Sequence, residues 1–171
     1  MRKELEPYIK LAPFVGVGLV VVILAVAGIL YMQRGAHMEL VTSIQKIRTL
    51  AIDENSSAIV ADFRLHNPSD YPFVVGRVEA TLVDPSGKTL DGMVISEVDA
   101  KQLFQYFPAL GQKYNDSLIP RTRIAPRRTL DCMLAVRFEL PEKLLAQRKA
   151  FRIRVEDVDG PVATVVEGAR P

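Results

Sequence analysis

The pattern of hydrophobic and polar residues divides the chain into two parts. Residues 11–33 form a run of twenty-three positions without a charged side chain. A helix that crosses a bilayer needs roughly 20 apolar residues, because ~30 Å of hydrocarbon is covered at ~1.5 Å per residue. The run therefore predicts a transmembrane helix over 11–33. A short N-terminal segment, 1–10, precedes this helix, and a linker, 34–44, follows it.

Two other interpretations of the run remain open. Ala25-Val26-Ala27 could serve as the cleavage site of a signal peptide, behind the basic residues near the N-terminus. Against this, the apolar run continues to Met32, and the N-terminal segment carries Glu4 and Glu6. A buried helix of a soluble protein is the other interpretation, although the glycines of the run would weaken it.

The basic residues that flank the run predict its orientation. Arg2, Lys3 and Lys10 precede it, whereas only Arg34 follows it closely. Basic residues beside a membrane span favour the cytoplasmic side. We therefore expect a single-pass protein of the inner or plasma membrane, with the N-terminus in the cytoplasm and the C-terminal part outside it.

Residues 45–166 show the alternation of β-strands. Ser57 to His66 places Ile59, Ala61, Phe63 and Leu65 on one face and polar residues on the other, and Asn67-Pro68-Ser69-Asp70 ends this strand as a turn. Similar patterns predict further strands at 47–52, 71–84, 88–95, 118–124, 129–140, 151–157 and 162–166.

Turns and helix caps complete the predicted domain. Asp84-Pro85-Ser86-Gly87 and Asp157-Val158-Asp159-Gly160 read as turns, and Ser96 begins a capping box for a helix ending near Pro108. The predicted buried stripe of this helix contains Val98, Leu103, Phe104 and Phe107. A second short helix follows Pro141. About seven strands with one or two short helices predict a mainly β, antiparallel β-sandwich, followed by a loose tail at 167–171.

Charge argues against one class of partner and suggests another. Residues 37–171 carry eighteen basic and eighteen acidic side chains, and this balance argues against a nucleic-acid-binding domain. Within the balance, Arg121, Arg123, Arg127 and Arg128 lie within eight positions. They form a candidate patch for an acidic partner or for anionic lipid headgroups. The alternative is that they are solvated residues paired with the acidic half of the same domain.

No motif predicts catalysis. Two histidines and one cysteine do not provide the short ligand spacing of a zinc site. Cys132 lies in a strand-like segment, which predicts a buried core thiol; a nucleophile or an intermolecular disulfide are the alternatives. We therefore expect no catalytic residue, no metal, no cofactor and no small-molecule substrate, and we expect that the protein is not an enzyme.

The order of these segments resembles a known family. An anchor, a hydrophobic strand ending in Asn67-Pro68-Ser69, a hairpin with Gly87 and a closing Asp159-Gly160 are similar to the immunoglobulin-like domains of late-embryogenesis-abundant type 2 proteins and of bacterial FxLYD-type envelope proteins. The resemblance covers about residues 40–166. It implies an immunoglobulin-like sandwich that binds or stabilises other molecules. The chain departs from the pattern in lacking an FxLYD string and in its helical insert.

These observations lead to one functional expectation and two alternatives. We expect a membrane-anchored, non-catalytic, extracytoplasmic sandwich that binds a protein or an envelope component at the membrane surface. The first alternative is a stress-protective protein that shields membranes or proteins by weak contacts. The second is a small enzyme whose site is assembled from loop residues that carry no motif.

Overall fold

The computed structural model describes residues 18–28 and 40–167. The chain forms two units, Met1–His37 and Met38–Pro171. In the first unit, residues 18–28 form a helix (α1) whose apolar side chains are exposed, Leu24 by 66%. The remainder of the predicted span 11–33 lies outside the described residues. Among the residues that are described, no helix is both long enough and apolar enough to cross a membrane.

The second unit is mainly β-structure with short helices. Its strands are β1 (Val41–Ala51), β2 (Ser57–His66), β3 (Phe73–Val83), β4 (Thr89–Val94), β5 (Arg123–Ile124), β6 (Thr129–Phe138), β7 (Ala150–Asp157) and β8 (Val162–Val166). Its helices are α2 (Glu97–Tyr106), the 3₁₀ turn Pro108–Leu110 and α3 (Glu142–Ala146).

The strands form two antiparallel sheets that share β4. The first sheet has the order β1-β2-β6-β4 and the second has the order β4-β3-β7-β8, with β5 paired to β3. Thr89 to Gly92 pair with β3, whereas Met93 and Val94 pair with β6. With β4 counted in the first sheet, this is the ABED and CFG strand order of an immunoglobulin-type sandwich. The Thr42 hydroxyl donates to the Thr164 carbonyl at 3.1 Å and so joins the two outer strands.

One hydrophobic core lies between the two sheets. The inward positions of β2 and β6 face those of β3, β7 and β8, as the alternation of apolar residues in these strands requires. Phe138 of the first sheet meets Phe151 of the second edge to face, with 6.3 Å between ring centroids. The side chains that are fully buried here include Ile59, Phe63, Leu65, Leu82, Leu134, Ile153 and Val165.

A second apolar cluster covers the outer face of the first sheet. The segment between β4 and β5 carries α2 and the 3₁₀ turn, and it packs on this face through Ala100 and Leu110. The sheet contributes Val60, Met133 and Ala135 to the same cluster. Strand β2 is therefore buried on both faces over most of its length. We refer to residues 95–118 as the insert.

Strand β4 passes from one sheet to the other at a glycine. A β-carbon on Gly92 would overlap Val136 Cγ1 and would lie 2.7 Å from Cζ of Phe138. Both of these side chains are buried in the core. Only the missing side chain of glycine therefore lets the backbone approach the core this closely.

The predicted strands and turns are largely confirmed, with corrections to the linker, to one strand and to the tail. Strands β2 and β8 have the predicted ends, and the two predicted turns contain Gly87 and Gly160 with φ of 95° and 103°. The predicted linker 34–44 is wrong at residues 41–44, because these pair with β2 as the start of β1. The strand predicted at 118–124 is reduced to β5. The tail predicted from residue 167 is wrong at Glu167, which forms an ion pair with Arg148 at 2.6 Å; residues 168–171 lie outside the described residues.

The predicted buried stripe of α2 is partly wrong. Ser96 caps the helix as expected, its hydroxyl accepting a hydrogen bond from the Asp99 amide. Val98, however, is 65% exposed, and Ala100 is buried instead. Ala100, Leu103, Phe104 and Phe107 follow the i, i+3, i+4, i+7 spacing of one helix face, and Val98 lies off this face.

Candidate functional site

Three loops meet at one end of the sandwich, and the arginines of the candidate patch lie in one of them. The loops are residues 67–72, 119–128 and 158–161; we call this end the basic end. Val41, where β1 begins, is the register partner of His66, which in turn is the partner of Thr129. The chain therefore enters the domain at the basic end.

Asn67 holds two of these loops together. Its side-chain amide donates to the carbonyls of Tyr71 and Ile124 at 2.8 and 3.2 Å, and its carbonyl accepts from the Ser69 amide at 3.0 Å. Its own backbone amide donates to the carbonyl of Arg128 at 2.9 Å. The residue is fully buried, so these bonds are shielded from water. The sequence indicated a turn at Asn67 but not this bridge to residues 124–128.

All four predicted patch residues are exposed, and the structure brings them to the basic end. Arg123 pairs with Val74 in the β3–β5 ladder, and Arg127 donates from its backbone to the Ser69 carbonyl. Among the described residues, only Arg127 of the four forms an ion pair, with Asp70 at 3.0 Å. The Arg127 guanidinium lowers the pKa of this carboxyl. The other three guanidinium groups carry no described ionic partner, which favours a patch over internal pairing.

Two of the patch arginines have an unusual backbone conformation. Arg121 and Arg127 have φ of 69° and 56°. Positive φ is uncommon for residues with a β-carbon and costs about 1 kcal/mol or more relative to the usual regions. Glycine would adopt these conformations more easily, so the arginine side chains are kept at some cost to folding.

The basic end also carries exposed apolar groups and carboxylates. Tyr71 is 70% exposed, Val158 is 58% exposed and Val41 is 49% exposed. Asp70 and Asp159 are the exposed carboxylates of the three loops. The four arginines outnumber these two, so the end has a positive excess.

A buried ion pair fixes the insert to the first sheet. The Arg48 guanidinium contacts Asp62 and donates to the carbonyls of Leu110 and Gln112 at 2.9 Å each. Asn115 donates to the other oxygen of Asp62 at 2.9 Å. The side chains of Arg48 and Asp62 are only 8% and 5% exposed. The sequence did not reveal this pair, because charged residues at alternate strand positions are expected in solvent.

A second, more exposed cluster also ties the insert together. Glu97 accepts from the Ser117 amide at 2.9 Å and pairs with Lys113 at 3.0 Å and with Lys101 at 3.3 Å. Partial burial opposes ionisation, yet these donors lower the pKa of Glu97 to about 2. The carboxylate is therefore ionised at neutral pH and acts as a structural anchor.

Cys132 is the buried core thiol that the sequence predicted. It is 3% exposed, and its Sγ lies 3.7 Å from the Phe63 carbonyl oxygen. Burial raises the pKa of the thiol, and the Asp131 and Asp62 carboxylates raise it further. The thiolate needed for nucleophilic attack is thereby disfavoured.

The concave surfaces of the domain are open grooves. One groove of about 440 Å³ lies between the insert and β6 and is lined by Tyr114, Ser117, Ile119, Asp131 and Cys132. Arg64 lowers the pKa of Asp131 through a hydrogen-bonded pair at 2.6 Å. Within residues 18–28 and 40–167, no three His, Cys, Asp or Glu side chains come together as metal ligands.

The fold defines the class as an antiparallel β-sandwich with a helical insert. No known family model matches the chain, and no curated protein matches it. The resemblance to late-embryogenesis-abundant type 2 and FxLYD-type proteins therefore stays a prediction.

Several solved structures show a distant similarity. An uncharacterized β-sandwich protein from Clostridium difficile 630 has 11% identity and a TM-score of 0.38, covering 78% of this chain and 92% of that one. A protein from Archaeoglobus fulgidus has 14% identity and a TM-score of 0.35, with coverages of 72% and 94%. The archaellum periplasmic stator protein FlaG from Sulfolobus acidocaldarius has 12% identity and a TM-score of 0.32, with coverages of 74% and 98%. Similarities of this size assign neither a family nor a function.

Proposed function

We propose that this protein is a membrane-tethered, non-catalytic β-sandwich that binds an anionic partner at the membrane surface through its basic end. The observation that carries the proposal is the gathering of four exposed arginines at the end where the chain enters the domain. An unpaired guanidinium group is a ready donor to carboxylate or phosphate oxygens, often to two at once.

The uncharged run supports the tether. Its twenty-three residues match the length that a bilayer requires, and the exposed apolar side chains of α1 belong to it. The excess of basic residues before the run favours a cytoplasmic N-terminus, with the sandwich outside the cytoplasm. The proposed location is therefore the outer face of the inner or plasma membrane.

The pKa shifts of the titratable side chains support a binding role. Cys132 has a raised pKa, and the carboxyls of Asp70, Glu97 and Asp131 have lowered ones because each is held by cations. General acid catalysis at neutral pH needs a carboxyl group whose pKa is raised, and these shifts are in the opposite direction.

Two measurements test the proposal. Full-length chain should remain in the membrane fraction after alkaline carbonate washing, whereas a variant lacking residues 1–39 should be released. Recovery of both forms in the wash would exclude the tether.

The partner is tested by purification in mild detergent with the N-terminal segment intact. We expect a co-purifying anionic component that is lost when Arg121, Arg123, Arg127 and Arg128 are all changed to alanine. A component that is retained by this variant would show that binding uses another surface.

A further inference from the structure

We infer that the anionic partner of the basic end is the phospholipid surface itself, so that the sandwich docks end-on against headgroup phosphates. This inference rests on the proposed function, because it requires the tether. It specifies the ligand as the phosphate of an anionic phospholipid and the contact as the three loops of the basic end.

The connection of the chain is the first argument. β1 begins at Val41 beside His66, so the end that carries the arginines is the end joined to the uncharged run. Residues 29–39 are the only ones between α1 and the described start of the domain. Eleven residues reach at most ~40 Å when fully extended, which keeps the basic end within reach of any surface that the run enters. A tether of this length greatly raises the effective concentration of headgroups at that end.

The mixture of side chains is the second argument. Tyr71 and Val158 are exposed beside the arginines, in the loops 67–72 and 158–161. Aromatic residues are enriched at the level of lipid headgroups, where an apolar ring can enter the interface while its hydroxyl stays in water. Guanidinium groups bind phosphate oxygens at the same level. An acidic protein surface would also match these charges, and tyrosine is common at protein interfaces, so the choice of the lipid surface as the partner rests on the tether.

The backbone of the arginine loop is the third argument. Arg121 has a φ of 69°, which glycine adopts without strain, and its side chain forms no ion pair with any described residue. The side chain therefore contributes nothing to folding through a charged partner, although its backbone conformation is costly. A contact with an external anion accounts for arginine at this position.

The test uses the absence of tryptophan from the chain. Tyr71→Trp places a single fluorescent reporter in the exposed position of the basic end. The full-length variant is inserted into nanodiscs of phosphatidylcholine alone or of phosphatidylcholine with phosphatidylglycerol. We expect a blue-shifted emission that is quenched by brominated lipid, in the anionic discs only. Added salt should reverse the shift, because it screens the headgroup charge.

A reporter at the opposite end provides the first control. Ser86→Trp lies in the exposed turn between β3 and β4, at the far end of β3 from Phe73. Its emission should be the same in neutral and anionic discs. An equal blue shift at both positions would overturn end-on docking.

A charge variant locates the contact. In the Tyr71→Trp background, three positive charges are removed together by the substitutions Arg121→Gly, Arg123→Gln and Arg128→Gln. Each basic residue near an anionic surface contributes about a fivefold factor, so the ratio of docked to undocked domain should fall roughly 100-fold. Because Arg121→Gly removes a strained conformation, the variant is expected to stay folded, as circular dichroism will show.

A matched variant removes the same charge elsewhere. The control changes three exposed lysines at the opposite end of the sandwich to glutamine: Lys88→Gln, Lys143→Gln and Lys149→Gln. This variant should keep the blue shift in anionic discs. The inference is overturned if both triple variants behave alike.

The failure of the inference differs from the failure of the proposed function. If the chain inserts into discs but the reporter of the Tyr71→Trp variant stays fully hydrated in the anionic ones, the lipid contact is wrong, and a protein partner that requires the same arginines becomes the explanation. If the chain does not associate with discs of either kind, the tether is wrong, and the inference falls with it.

Discussion

The buried pair formed by Arg48 and Asp62 gives a prediction whose size follows from its surroundings. The Arg48 side chain is 8% exposed, and Asp62→Leu would leave its guanidinium with two carbonyls as partners and no counter-charge. Removing one partner of a buried ion pair typically lowers the free energy of unfolding by about 3–5 kcal/mol. For a urea dependence near 2 kcal/mol per molar, the unfolding midpoint should fall by about 2 M.

The double variant separates pairing from burial. Arg48→Met together with Asp62→Leu removes both charges and leaves apolar side chains against Phe104 and Tyr114, whose rings lie 4.9 and 5.9 Å from the guanidinium carbon. The polar groups left without a partner are then the two backbone carbonyls that accepted from Arg48 and the asparagine amide that donated to Asp62. We therefore expect the free energy of unfolding of the double variant to exceed, by about 2 kcal/mol or more, the value that adding the effects of the two single variants would give.

The assay is urea unfolding of residues 38–171, monitored by circular dichroism. These residues contain both apolar clusters. The matched control is Asp131→Ala, which breaks the Arg64–Asp131 pair on the same sheet. That pair is about half exposed, so its loss should cost less than about 1 kcal/mol. If Asp62→Leu costs no more than this control, or if the double variant is simply additive, the reasoning about the buried pair is refuted.

Three further predictions concern the rest of the domain. Gly92→Ala should destabilise the domain by about 1–3 kcal/mol in the same urea assay, because the new methyl overlaps buried core side chains, whereas Asp91→Ala beside it should be nearly neutral. The folded-state pKa of Glu97 is lowered from 4.5 to about 2, so its contribution is complete above pH 4.5 and should be lost as the pH falls through 2. Glu97→Gln should flatten this part of the acid unfolding curve; an unchanged curve would contradict the role. Asn67→Ala should lower the free energy of unfolding by about 2–3 kcal/mol and speed hydrogen exchange in loop 119–128, since the Tyr71 and Ile124 carbonyls lose the Asn67 amide as a donor. Amide protection in this loop equal to that of the wild type would contradict the prediction.

The strands that the sequence predicted well are those with two independent signals. Strand β2 combines an apolar residue at every second position with a proline-containing stop, and both of its ends are confirmed. The run 118–124 has apolar residues but also Pro120 and the positive φ of Arg121, which break an extended ladder, so only β5 forms. Local patterns thus determine a strand only where no backbone restriction competes with them.

The candidate site could be predicted only in part. The four arginines are close in sequence, so their proximity was visible, but their position at the entry end depends on register across strands distant in sequence. Arg48 and Asp62 are fourteen residues apart in sequence and come together because β1 and β2 form a hairpin. Their burial depends on an insert that folds over the sheet from a third region of the chain. Burial by a segment that is distant in sequence produces no local pattern of hydrophobic and polar residues around Arg48 and Asp62.

The bonds of Asn67 have a consequence for how this protein can change. The backbone of loop 119–128 is held by one buried side-chain amide and by main-chain hydrogen bonds, whereas three of its four arginine side chains form no ion pair within the described residues. The charge of this loop therefore depends on side chains that do not hold its backbone in place. The end can be redesigned, from basic to neutral or acidic, while the same loop backbone is kept. The domain thus offers a ready scaffold for presenting a chosen charge at the end where its chain begins.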